Sequence, residues 1–120
     1  MPNQPIPVDQ AQEMIKTYTS YMQKLGVDMQ KQTQSVSFKL PELMAWLTKM
    51  TGIADELRIC MGDYPAGHPQ AGRTTVILWP YKNGQPAKYS TKPNPGGGET
   101  DCDDGDCEEV DPYNDGQLFP

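Results

Sequence analysis

The densest set of reactive side chains in this chain lies in one connection, Gly62 to Arg73. It brings a carboxylate, a phenol, an imidazole and a guanidinium together as Asp63, Tyr64, His68 and Arg73. Such groups could move a proton through His68 and hold a carboxylate or phosphate through the fork of Arg73. The connection is longer than most hairpin loops, and long loops often carry function. Its spacing matches no established catalytic motif, however, and His68 is the one histidine of the chain. The four residues are therefore expected to form a ligand-binding loop rather than a catalytic site. Cys60, just before the loop, would need His68 within hydrogen-bond reach to act as a nucleophile, and a structural thiol is the simpler expectation.

A second group of candidates lies near the C-terminus. Asp101, Asp103, Asp104, Asp106 and Glu108 surround Gly105, an arrangement of hard oxygen donors that calcium could use. The match to an EF-hand is poor: counted from Asp101, the sixth residue is Asp106 where glycine is required, and the twelfth is Pro112 where glutamate is required. A solvated, disordered polyanion is the expectation preferred over a specific cation site. Cys102 and Cys107 could form a local disulfide or half of a soft-metal site. Zinc is disfavoured because Cys60 and His68 would be the only further ligands and no second paired motif exists. No cofactor other than calcium is expected, since Gly96-Gly97-Gly98-Glu99-Thr100 lacks the lysine of a phosphate-binding loop.

Charge divides the chain. Residues 1–98 hold all ten Lys and Arg against seven acids, a net of +3, whereas residues 99–120 hold nine acids and no base. Nucleic acid and anionic membrane are poor partners for such a chain, because phosphates demand concentrated Lys and Arg. A basic protein partner for the acidic end fits better. No apolar run approaches the ~18 residues of a membrane span, and Met1 to Pro7 lacks a secretion signal. The expected compartment is the cytoplasm, with a secreted fragment left open.

These groups must be positioned by a small body. After a Pro-spaced arm over residues 1–8, Ala11, Met14, Ile15, Tyr18, Met22 and Leu25 recur along one helical face. Asp9 and Gln12 resemble a capping box, and Gly26 with Val27 a Schellman ending. Val36, Phe38 and Leu40 alternate as a strand, Pro41 stops it, and Leu43, Trp46, Leu47 and Met50 form the stripe of a second helix. Two apolar strands, around Leu57 to Met61 and Thr74 to Trp79, should pair antiparallel. Asn83-Gly84 marks a tight turn, and Pro86 to Ser90 a short edge strand. The first strand, the second helix and the following strand would suit a right-handed parallel unit.

The expected fold is thus α/β, more narrowly an α+β two-layer sandwich. It has two helices on a three- to four-stranded mixed sheet in the order α-β-α-β-β. The domain occupies residues 9–90, and residues 91–120 form a Pro/Gly linker and disordered acidic tail, with Tyr113, Leu118 and Phe119 as a conceivable anchor.

The phrases Ile53 to Ile59, Gly62 to Pro65, Thr75 to Pro80 and Tyr113 to Gly116 together resemble, in outline, small bacterial proteins of unassigned function. That resemblance implies no activity and no catalytic residues. The overall expectation is a non-catalytic interaction or ligand-binding module. A cation-binding protein using 101–111 and a small enzyme using the 62–73 loop are the alternatives.

Overall fold

The computed structural model describes residues 4–90, 107–114 and 116–119. It is a mixed α+β arrangement. Helix α1 spans Val8–Lys24 and opens after Pro7 rather than on Asp9, whose carboxylate instead accepts the Gln10 N–H from within the first turn. Proline at the entry presets the backbone, and an acid in the first turn suits the positive end of the helix dipole. The helix ends as its sequence predicts. Gly26 turns left-handed at φ 89°, Gly26 N–H donates to Gln23 O and Val27 N–H to Met22 O, the paired bonds of a Schellman motif.

The chain then passes through Met29 and Thr33, both buried, into strand β1, Ser35–Ser37. Helix α2, Leu40–Met50, carries Pro41 in its first turn and turns Leu43, Trp46, Leu47 and Met50 inward. Strands β2, Glu56–Asp63, and β3, Thr74–Lys82, pair antiparallel along their whole length, Ile59 opposite Leu78 and Met61 opposite Val76. Asn83 and Gly84, at φ 52° and 77°, form the tight turn into β4, Gln85–Pro86, which leaves β3 central and β2 at the edge.

The remaining pairings depart from the expected sheet. Strand β1 does not lie parallel to β2. It pairs antiparallel with β7, Gln117–Phe119, while β5, Lys88–Ser90, pairs antiparallel with β6, Cys107–Glu109. Every described pairing is antiparallel. A three-residue strand has too few backbone groups to specify a partner, so β1 takes the segment that also offers apolar side chains.

Residues 107–114 and 116–119 therefore behave differently from the solvated tail that their charge predicts. Val110 is buried in a cluster with Met50, Ile53 and Ala87, against which Trp46, Ala54 and Tyr89 pack. Tyr113 exchanges both backbone hydrogen bonds with Leu78, at 2.8 and 2.9 Å, and its ring lies between Phe38 and Trp46, with centroids 5.8 and 5.0 Å away. Average composition concealed these contacts, because a few apolar residues at the right spacing suffice to anchor an acidic segment. Residues 91–106 lie outside the described residues.

Candidate functional site

Asp63 ends β2 and accepts the Thr74 hydroxyl at 3.0 Å. Tyr64 and Arg73 close the loop with a backbone bond, and inside it Tyr64 stacks on His68 with centroids 4.1 Å apart and planes 10° from parallel. Gln70 joins the other two groups: its N–H donates to His68 Nδ1, and its side-chain oxygen accepts from Arg73 Nη1, both at 2.9 Å. Gln32 ties the base of the loop to the body, its Oε1 accepting Thr74 N–H at 2.8 Å and Thr33 N–H at 2.9 Å.

The loop thus brings Tyr64, His68, Gln70 and Arg73 together, but around one another. Residues 65–72 are exposed, and none of the four candidates lines a described cavity. Cys60 is a half-buried free thiol on the strand.

Of the proposed cation ligands, Asp101, Asp103, Asp104 and Asp106 fall outside the described residues. Glu108 lies on β6 and accepts the Tyr89 hydroxyl at 3.1 Å. Among the described residues no three His, Cys, Asp or Glu side chains converge on a metal position. Cys107 is disulfide-bonded. No described helix is long and apolar enough to cross a membrane.

A different feature has the form of a recognition site. One face of the β2–β3 hairpin presents Leu57, Ile59 and Met61 beside Val76, Leu78 and Pro80, as the pleat and register require. Between this face, β1 and α1 runs an apolar groove of about 370 Å³. Buried Leu78 and Thr75 lie deepest, Val36 and Phe38 form the β1 side, Ile59 and Met61 the open side, and Tyr18 reaches in from α1. Ligand sites typically enclose ~300–1,000 Å³ with mostly apolar linings and some polar groups; this groove has that size, and Thr33, Gln34, Ser35, Thr74 and Thr75 supply its polar groups. The C-terminal return frames it: Tyr113 holds the Leu78 backbone, and β7 pairs with β1.

The surfaces around the groove are unusually apolar. Ile59 and Met61 are 63 and 68 % exposed on the edge strand. Helix α1 buries none of its residues, and its stripe of Met14, Ile15, Tyr18, Tyr21 and Leu25 is 46 to 63 % exposed. On the opposite face of the hairpin Arg58 is drawn back over the Tyr81 ring at 3.9 Å and paired with Glu56 at 3.1 Å. That ion pair is half-exposed and contributes little stability. It nevertheless holds the one cation of β2 on that opposite face, so the face of β2 bearing Leu57, Ile59 and Met61 carries none of the lysine or proline that commonly guards an edge.

Sequence reasoning placed Met14, Ile15, Tyr18 and Leu25 on one helical face and Leu57 to Met61 on an apolar strand, and it did not include Tyr21 in the stripe. Apolar periodicity is the same whether a face is covered or left open.

One polar atom at the groove is out of place. Thr33 borders it with its hydroxyl buried and without a hydrogen-bond partner. An unsatisfied buried hydroxyl costs about 1–3 kcal/mol, so Thr33→Val should raise the urea midpoint at unchanged slope, a gain of about 1 kcal/mol. A lower midpoint would mean that the hydroxyl is satisfied.

Compared with family models, with characterised proteins and with solved structures, the chain matches none.

Proposed function

We propose that this chain is a small non-catalytic binding module whose recognition surface is the apolar groove between α1, β1 and the β2–β3 hairpin, together with the exposed edge of β2. The observation that carries this reading is the exposure of Ile59 and Met61 on the open side of a groove that Phe38, Val76 and Leu78 also line. Uncovered apolar area of this kind is costly in water, and its usual role is to be buried on binding. The 62–73 loop supports the hairpin end of the site, since its polar groups are directed at one another.

The test uses 1-anilinonaphthalene-8-sulfonate, which fluoresces on entering apolar sites. The native chain in dilute solution should bind it saturably at about one site per chain, and Ile59→Glu should weaken binding at least about tenfold, the effect of ~1.4 kcal/mol. Ile59 is exposed, so the variant should keep the native thermal midpoint within a few degrees. Equal affinity in the two proteins would refute the assignment of the surface.

A further inference from the structure

Within that reading, on which this step rests, we infer that the partner of the groove is a second copy of this chain, joined by a two-fold contact in which the apolar face of α1 and the Ile59–Met61 strip of each copy cover those of the other. A helix of 17 residues is close to the length at which isolated helices are marginal in water, and helices in proteins owe most of their stability to a covered apolar face. The face of α1 is uncovered here, and so is the strip on β2. Tyr18 joins the two, because it lines both the groove and the outer hollow formed by Met14 and Tyr21.

Three features select a second copy. A two-fold contact needs a surface that matches itself, and this one carries both halves of the match, an uncovered helix face and an exposed apolar strip beside a groove. The charges of α1 are polarised, with Asp9 and Glu13 in its first half and Lys16 and Lys24 in its second. Two antiparallel copies would therefore set acids against bases at the margin of the stripe. The area is also sufficient. By their exposures, the five stripe residues and Leu57, Ile59 and Met61 offer roughly 800 Å² per chain, the size of a standard stable interface.

The experiment is sedimentation velocity on the full chain from low micromolar to several hundred micromolar, with dye fluorescence read on the same samples. The expected result is a reversible species of twice the 13.4 kDa chain mass. Dye binding should rise as dilution releases the groove. Tyr18→Glu and Ile59→Glu should each abolish the dimer, while Lys49→Ala, at an exposed position near the end of α2 and outside the contact, should leave it intact.

A monomer at every concentration that still binds dye through Ile59 overturns the dimer and leaves the binding surface standing, with a different partner. A monomer that binds no dye, with α1 closed on its own groove, overturns both. A dimer that survives both glutamate substitutions places the interface elsewhere and refutes the inference.

Discussion

Removing residues 107–120 is expected to abolish cooperative folding rather than trim a flexible end. The deletion takes Val110 out of the cluster around Ile53, Tyr113 from between Phe38 and Trp46, and the partner strands of both β1 and β5. Burying a side chain such as valine contributes about 1.5–3 kcal/mol, and truncating a packed aromatic typically costs about 3–5 kcal/mol. Together with two lost ladders, these losses match the whole stability of an ordinary domain, roughly 5–15 kcal/mol. Urea titration followed by circular dichroism should show no sigmoidal transition for the truncated chain. Tyr113→Ala isolates one contribution and should lower stability by about 3 kcal/mol while the segment stays in place. A truncated chain that unfolds cooperatively at the native midpoint would show residues 107–120 to be dispensable.

The second large effect is expected at Gly116. A Cβ built there would fall 2.9 Å from Phe38 Cζ and would also collide with Val36 Cγ1, the latter on β1, which β7 must reach, and the former just beyond its end. The backbone of Gly116 does not lie in the left-handed region, so the requirement for glycine is one of space. Gly84 makes the contrast: it is left-handed at φ 77° but has nothing within 4 Å of its position for a Cβ. Alanine at Gly84 should cost only its conformational strain, about 1 kcal/mol. Gly116→Val should cost about 3 kcal/mol, the upper part of the overpacking range, and should loosen β7 from β1. Urea midpoints of the two variants check the order. Combining Gly116→Ala with Phe38→Leu should recover part of the loss, because neighbouring sites that exchange volume are not additive. Equal costs at Gly84 and Gly116 would contradict the packing described for the C-terminal return.

The parts of the fold that were legible in sequence are those fixed by local chemistry. The stripe from Ala11 to Leu25 with Gly26 and Val27 after it, the proline that opens α2, and Asn83-Gly84 each act through bonds to near neighbours. The β2–β3 hairpin was legible because both strands are long and apolar. The partner of β1 was not, since Ser35–Ser37 is short and its partner lies about eighty residues on. Val110 was missed because four acids stand within four residues of it. At the loop, Asp63, Tyr64, His68 and Arg73 are adjacent in sequence, yet adjacency does not decide whether side chains face a ligand or one another. Here a ring stack and the bonds to Gln70 and Thr74 engage them locally. The groove is the converse case: Tyr18, Phe38, Ile59 and Met61 carry the pattern of buried positions, and only three-dimensional placement shows that some remain open.

The central claim is that the C-terminal return closes the body while the apolar face beside α1 is left for a partner. Native-state hydrogen exchange on the dilute chain tests both halves at once. The amides of Leu78, Val110 and Tyr113, all hydrogen-bonded to backbone oxygens, should exchange only through global unfolding, as the slowest of β3 do, whereas those of α1 should exchange orders of magnitude faster. Free-peptide rates at Val110 and Tyr113, or protection of α1 equal to that of β3, would contradict it.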